Sequence, residues 1–315
     1  MNKVKLEMEK PIRSFKNIIK DTKLNNIVFD IDTSKLASNR TGGKTLCCFT
    51  ADNTKDLKKM VKTCIKNKIK FVVIGNCTNI LFSDRYMDIV LIKLGKDFNY
   101  VRFEGENKIV AGAAYNLLKF IIKAAAKGYD FSELSGIPGT LGGSIAGNSG
   151  SSTAGICSFI KRISYISRNG NNIVERTRDL NNSDFDYRIL NIPGLVAVTE
   201  AVLSAKKSDR EDILKKIRNR IKNKKQTQPI GAKSSGCFFK NIKDCSKSTG
   251  ELIEECGLKG FIYGGARVSE KHANFMENFK NASSEDIFVL SKMVKDIVMN
   301  NFGRKLEYEV KLVGF

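Results

Sequence analysis

Residues 136–150 read GIPGTLGGSIAGNSG, six glycines in fifteen positions, and no other stretch limits the possible folds as tightly. Glycine at that density is needed where backbone turns sharply or lies closer to a neighbour than a Cβ permits. The chain nevertheless contains no G-x-G, so the Rossmann dinucleotide fingerprint is absent. A second polar turn, GNCTN, occupies Gly75–Asn79. Each loop sits beside an apolar, strand-like run and can aim successive backbone N–H groups at a diphosphate. Ordinary tight connections are the alternative for each.

Hydrophobic periodicity supplies the frame around these loops. Leu57, Met60, Val61, Cys64 and Ile65 recur at i, i+3, i+4, i+7 and i+8, the spacing of a helix with one buried face. KFVVIG, ILF and DIVLIKL come next as strands, and this β-α-β beginning argues for mixed α/β architecture. YNLLKFIIKAAAKG is a second helix, with Gly128 available for its left-handed end. RISYIS and LVAVTEAVLSA read as strands. Ser208 and Glu211 form an S-x-x-E capping box opening a basic helix to about Lys225, and that start, with the polar run KNKKQTQP closing the helix, is the candidate domain boundary. Toward the C-terminus lie a helix near TGELIEECG, a capped helix from Ser283 through Ile287, Leu290, Val294 and Ile297, and a last strand, LEYEVKLVGF. Residues 1–40 read as a helical or irregular arm. The TGGKT after it is not a P-loop, because Ser38 stands where the motif needs its first glycine.

Charge and cysteine usage narrow the partners. Lys and Arg number 54 against 33 Asp and Glu, a net charge of +21, which favours anionic ligands such as phosphorylated small molecules or nucleic acid. The densest run, KKIRNRIKNKK at Lys215–Lys225, has no interleaved aromatics for base stacking and reads as the solvated face of a helix. No apolar run reaches the ~18 residues of a membrane span. The N-terminal segment MNKVKLEMEKPIRSFKNIIK lacks a signal-peptide core, and a cytoplasmic location is expected. Eight cysteines contain no C-x-x-C pair and His272 is the one histidine, so no metal site is expected. Most of these thiols read as small buried apolar residues in a reducing compartment.

Cys237 lies in KSSGCFFKN (Lys233–Asn241), which is neither an amphipathic helix nor an alternating strand. Cysteine statistics alone make it a core thiol beside Phe238 and Phe239. VIGNCTNILFSD (Val73–Asp84), SGIPGTLGGSIAGNSG (Ser135–Gly150), DYR (Asp186–Arg188), SSGCFFKN (Ser234–Asn241) and LEYEV (Leu306–Val310) occur in one order. Together they resemble the UDP-N-acetylenolpyruvoylglucosamine reductase (UDP-N-acetylmuramate dehydrogenase) family, from about Thr41 to Phe315. The resemblance implies an α+β fold. Its FAD-binding core would be of the vanillyl-alcohol-oxidase (PCMH-like) type, residues 41–205, in two α/β subdomains of about 41–95 and 96–205. A C-terminal α+β substrate domain, 206–315, would come after the 1–40 arm and the core, its last strand returning to the active site. YRILNIPGLVAVTEAVL passes directly into a strand, as in the shorter family form without the insertion bearing a substrate-capping tyrosine.

The implied reaction passes hydride from NADPH to FAD and then to the enol ether of UDP-N-acetylglucosamine-enolpyruvate, forming UDP-N-acetylmuramate for peptidoglycan precursors. Hydride addition leaves an electron pair beside a carboxylate, which demands a stabilising cation and a positioned acid. By resemblance Arg188 grips the carboxylate, Glu309 serves at the same centre, and Cys237 donates the proton from a slot that is commonly serine. A thiol with a reference pKa near ~8.5 is mostly protonated at neutrality, although a neighbouring cation would lower that value. Gly75, Asn76, Cys77, Thr78 and Asn79 in the first loop match the cofactor site. So do Ser135, Gly136, Gly139, Thr140, Gly142, Gly143, Ser144, Gly147 and Asn148 in the second. Tyr187, Lys240 and Asn241 match the substrate side, and His272 a positional role. Glu307 shares a strand face with Glu309, and the resemblance alone selects Glu309. The expected partners are the UDP-sugar and NADPH, with no nucleic acid and no membrane span, in a monomer or weak oligomer. Two other readings remain open to the sequence. An oxidase or dehydrogenase of the same fold would not need the Arg188, Cys237 and Glu309 set. A basic nucleic-acid-binding protein would purify colourless.

Overall fold

The computed structural model describes residues 3–150 and 154–315, with side chains from residue 10 onward. The chain divides into two compact units, the first being the described parts of Met1–Ile31, Thr45–Asn76 and Asp88–Lys222. One sheet of this unit has the strand order Ile27–Asp32, Lys44–Ala51, Met87–Leu94, Lys70–Ile74. Its last two strands are parallel, from Lys70 opposite Ile89 to Ile74 opposite Lys93. The helix Thr54–Lys66 starts at Asn53, whose side chain accepts from Asp56 N, and buries Leu57, Met60, Val61 and Cys64 as the spacing predicts. The N-terminal helix Lys3–Ile19 adds Phe15 to the same core. An arm that is helical or irregular accounts for that helix but not for the strand Ile27–Asp32. IVFDID has no long apolar run, and its pairing comes from the open edge of a neighbouring strand.

A second sheet orders the strands Val101–Phe103, Ile109–Gly112, Leu195–Leu203, Ile160–Asn169 and Asn172–Asp179. All of its pairings are antiparallel. The helix Leu117–Ala125 buries Leu117, Phe120 and Ile121 on this side, and Gly128 comes after it at φ +80° as the sequence suggests. The basic helix spans Arg210–Thr227, but its cap is not Ser208. Asp209 Oδ1 accepts from Glu211 N at 2.8 Å and Asp212 N at 3.2 Å, while Ser208 N bonds Gly128 O. A carboxylate both caps the free N–H groups and meets the positive end of the helix dipole.

The second unit comprises Asp32–Lys44, Cys77–Met87 and Asn223–Phe315. Its antiparallel sheet runs Ser234–Cys237, Phe275–Asn278, Ala266–Val268, Ile262–Tyr263. A separate parallel pair joins Lys311–Val313 to Ile80–Phe82. Leu81, Phe238, Phe239, Leu252, Met276, Leu290 and Val294 share one apolar core. The helices Thr249–Glu255 and Ser284–Phe302 contribute to it, and both open with capping boxes, at Ser248 and Ser283. LEYEVKLVGF forms less strand than expected. Only Lys311–Val313 is regular, and Tyr308 makes an isolated antiparallel bridge with Phe239. The run changes partners midway, because Glu309 N and Val310 N turn to Phe238 O while Lys311 N turns to Asn79 O.

Asp84 ties an early segment to the last helix of this unit. Its Oδ1 accepts from Ser284 N at 3.0 Å and its Oδ2 from Glu285 N at 2.9 Å. Asp84→Ala is expected to lower unfolding free energy by about 1 kcal/mol, read as a lower urea midpoint at unchanged m-value, with Asp84→Asn falling between. An unaltered midpoint in the alanine variant would mean that Ser283 alone caps this helix.

Candidate active site

In the first unit the glycine stretch is pinned to the end of the strand Ile109–Gly112. Leu141 N donates to Tyr115 O and Gly142 N to Ala113 O, each at 2.8 Å, and Leu117 N donates to Gly139 O at 3.1 Å. A Cβ on Gly142 would stand 2.7 Å from that of Ala113, so only glycine permits this approach. Thr140 opens the short helix Leu141–Ala146 by accepting from Gly143 N. Gly75 brings the first loop to the same place, since a Cβ there would lie 2.5 Å from Thr140 Oγ1. Gly136 and Gly139 hold left-handed backbone, φ +76° and +118°. Ser144 and Asn148 are buried.

Asn148 links this stretch to the arginine motif. Its Nδ2 donates to Asp186 O at 2.8 Å and its Oδ1 accepts from Cys157 N at 3.0 Å. Phe185–Asp186 and Ile189–Leu190 form a small antiparallel hairpin with Tyr187 and Arg188 at its turn. Arg188 adopts φ +59°, a conformation costing a non-glycine residue roughly 1–2 kcal/mol. Its guanidinium lies over the exposed Tyr187 ring, 5.0 Å from the centroid. The first unit therefore brings together Gly75, the glycine stretch and the Tyr187–Arg188 turn.

The second unit assembles the remaining candidates. Cys237 ends the strand Ser234–Cys237 opposite Phe275. Asn274 clamps the two phenylalanines after the thiol: its carbonyl accepts from Phe238 N, its Oδ1 from Phe239 N, and its Nδ2 donates to Phe239 O. Phe238 and Phe239 are buried, whereas Cys237 is half-buried. Phe238 O accepts from Glu309 N at 2.9 Å and from Val310 N at 3.3 Å, so the backbone next to Cys237 meets that of Glu309. Asn79 Nδ2 donates to Glu309 O at 3.0 Å, and Cys77, at φ +49°, accepts from Ser38 N through its carbonyl. Thr78 lies between these two anchored residues.

Glu307, the competing carboxylate, is 71% exposed and ion-pairs with Lys240 Nζ at 3.5 Å. Asn241 Oδ1 accepts from Thr249 N, and Thr249 Oγ1 donates to Lys240 O, which ties this pair to the start of the helix Thr249–Glu255. His272 Nδ1 accepts from Asn274 N at 3.3 Å, and its ring lies on Phe275 at 5.0 Å. Burial holds its pKa below the ordinary imidazole range. Among the buried thiols, burial pushes Cys64 and Cys157 up to about 12 and raises Cys47 further. Sequence reasoning missed Asn39, Thr41 and Ser235, a buried polar chain behind Cys237. Only the serine pair in SSGCFFKN hinted at it.

The lining of the glycine stretch suits a flavin cofactor. Ser135 is fully buried, and its Oγ has no hydrogen-bond partner among the described residues. An orphaned buried hydroxyl costs about 1–3 kcal/mol, which a polar ligand atom would relieve. On Gly143 and Gly147 a Cβ would meet nothing nearer than 3.3 Å and 3.8 Å, leaving backbone open to close approach. The residues fit such a group.

The comparisons with known proteins agree. A family model described as an FAD binding domain matches residues 45–174, and one described as the C-terminal domain of UDP-N-acetylenolpyruvoylglucosamine reductase matches 228–313. The fold is thus the expected α+β architecture with an FAD-binding domain, and the protein is an FAD-containing oxidoreductase. The UDP-N-acetylenolpyruvoylglucosamine reductase of Wolbachia sp. subsp. Drosophila simulans is 34% identical, covering 91% of this chain and 95% of its own. That of Rickettsia typhi is 33% identical, over 90% and 95%. The crystal structure of the reductase from Thermus caldophilus superposes with a TM-score of 0.76 at 26% identity, covering 91% of this chain and 98% of that one. The chain belongs to the UDP-N-acetylenolpyruvoylglucosamine reductase family. Among the described residues no helix is long and apolar enough to cross a membrane.

The depressed pKa of His272 carries a pH dependence. Folding disfavours the imidazolium, so its contribution is complete above the unfolded pKa of ~6.5 and is lost as pH falls through the lower folded value. His272→Gln removes that titration. The urea midpoint of the wild type minus that of the variant should therefore shrink between about pH 8 and about pH 5. A constant difference would show that burial does not hold the ring neutral.

Proposed function

We propose that the protein reduces the enol ether of UDP-N-acetylglucosamine-enolpyruvate to UDP-N-acetylmuramate with NADPH, for peptidoglycan precursor synthesis. The observation that carries this reading is the meeting of the backbone next to a half-buried Cys237 with that of Glu309 at the Phe238 O to Glu309 N bond, in a chain of this family. FAD, when bound, supplies the hydride relay between nicotinamide and substrate. Arg188 forks onto the substrate carboxylate, where a planar guanidinium makes two parallel bonds, and stabilises the charge that develops beside it. Cys237 Sγ–H gives its proton to the carbon next to that carboxylate, and the resulting thiolate is reprotonated from solvent. Glu309 hydrogen-bonds at the same centre. Tyr187, Lys240 and Asn241 hold the UDP-linked part. Gly75–Asn79 and the Ser135–Asn148 loop hold the flavin.

We assign residues 41–205 to FAD binding and 206–315 to the substrate. The surplus positive charge of +21 suits a protein whose ligands are all anions. The reaction is assigned to the cytoplasm, where eight free cysteines stay reduced.

The deciding experiment records the flavin spectrum of purified protein, its bleaching by NADPH and its reoxidation by the enol ether. Cys237→Ala should bleach normally and lose product formation by about 10²–10⁴-fold, while Cys237→Ser retains measurable turnover. An alanine variant that turns over normally removes Cys237 as the acid. Ser135→Ala should separate cofactor binding from folding. Losing an orphaned hydroxyl stabilises the apoprotein by up to about 1 kcal/mol, while FAD affinity falls several-fold; unchanged affinity would exclude Ser135 from the flavin site.

A further inference from the structure

We propose that Asn39 is a positioning residue for proton delivery, tying the strand that carries Cys237 to the strand just after Asn79. The inference rests on the role proposed for Cys237 as proton donor. Asn39 is 1% exposed, and all four hydrogen-bonding capacities of its amide are used. Nδ2 donates to Ser235 Oγ at 2.8 Å and Ile80 O at 3.1 Å, while Oδ1 accepts from Thr41 N at 3.1 Å and Thr41 Oγ1 at 3.2 Å. Ser235 Oγ in turn donates to Ile80 O at 3.3 Å, and Ser284 Oγ donates to Thr41 Oγ1 at 2.7 Å. The hydroxyls thus point one way, from Ser284 through Thr41, Asn39 and Ser235 to the Ile80 carbonyl. A buried network satisfied throughout permits one arrangement, because any slip strands a polar group out of water.

The strand held by this network is irregular between Ser234 and the thiol. Between Ser235 and Cys237 stands Gly236, at φ +79°, where a Cβ would meet nothing within 4 Å. The pairing with Phe275–Asn278 is also irregular here, its register shifting between Ser234 and Cys237. Beyond this point Asn274 holds Phe238 and Phe239, so the Asn39 network fixes the strand on the other side of the irregularity. On the other side, Ile80 comes directly after Asn79, whose side chain holds the Glu309 carbonyl. Asn39 therefore sets the spacing between the Cys237 strand and the anchor of Glu309. It touches neither substrate nor cofactor in this role.

The test uses FAD-loaded full-length protein carrying Asn39→Leu, and Ser235→Ala in case the leucine variant does not fold. Bleaching by NADPH should stay within about two-fold of wild type. Reoxidation by the enol ether should fall at least about ten-fold, with kcat changing more than KM, as expected of a misplaced acid. Independently of turnover, the rate of Cys237 alkylation by iodoacetamide across pH, followed by mass spectrometry, should shift by at least about three-fold. Wild-type reoxidation and alkylation in Ser235→Ala would overturn the proposal, as would equal slowing of both half-reactions, which marks general disruption. Cys237→Ala separates the two levels. If it turns over normally, the role of Cys237 fails; if it is inactive while Ser235→Ala is normal, only the role of Asn39 fails.

Discussion

The carbonyl of Phe238 accepts from Glu309 N at 2.9 Å and Val310 N at 3.3 Å, and the geometry of the C-terminal unit depends on that meeting. A buried carbonyl must find donors, and here they come from the far end of the chain. Tyr308 locks the contact by stacking on Phe239 and meeting Phe238 edge-on, with centroids 5.5 Å and 5.9 Å apart. The cost is a broken strand: LEYEV cannot continue a ladder while two of its N–H groups share one acceptor. The gain is that two residues far apart in sequence, one bearing a carboxylate and one next to a thiol, meet at a single carbonyl.

The glycine stretch solves a different problem. Its backbone is fixed by bonds to Ala113 and Tyr115 at a separation where side chains would collide. Ser135 meanwhile keeps a buried hydroxyl without a partner among the described residues. Stability alone selects against both features, the first through lost chain entropy and the second through desolvation. Arg188 adds a left-handed turn that a glycine would adopt at no cost. Unfavourable local choices of this kind are what a binding site built from backbone requires.

The cysteines show how environment divides one residue type into two kinds. Cys47, Cys64 and Cys157 sit in apolar cores that suppress ionisation. Cys237 lies at a strand end, half-buried, beside the two phenylalanines that carry the burial. Composition counts them alike, and only packing separates a buried filler from a thiol within reach of solvent.

Much of the fold was legible because its causes are local. The period of Leu57, Met60, Val61 and Cys64, the box at Ser283 and the left-handed end at Gly128 depend on neighbours within a turn or two. The candidate site was legible as motifs, because glycine, arginine and cysteine at those positions answer to chemistry rather than periodicity. Ile27–Asp32 escaped notice because an edge strand takes its structure from its neighbour. The membership of Asp32–Lys44 and Cys77–Met87 in the C-terminal unit, the partner switch at Glu309 and the Asn39 chain were equally hidden. Sequence by itself determined which segments are helical, where backbone must bend and which side chains are candidates for chemistry, since those rest on short-range sterics and side-chain type. Only the tertiary structure decided which carbonyl meets which distant N–H and which polar groups are buried together, because such pairings depend on long-range burial that no local pattern encodes.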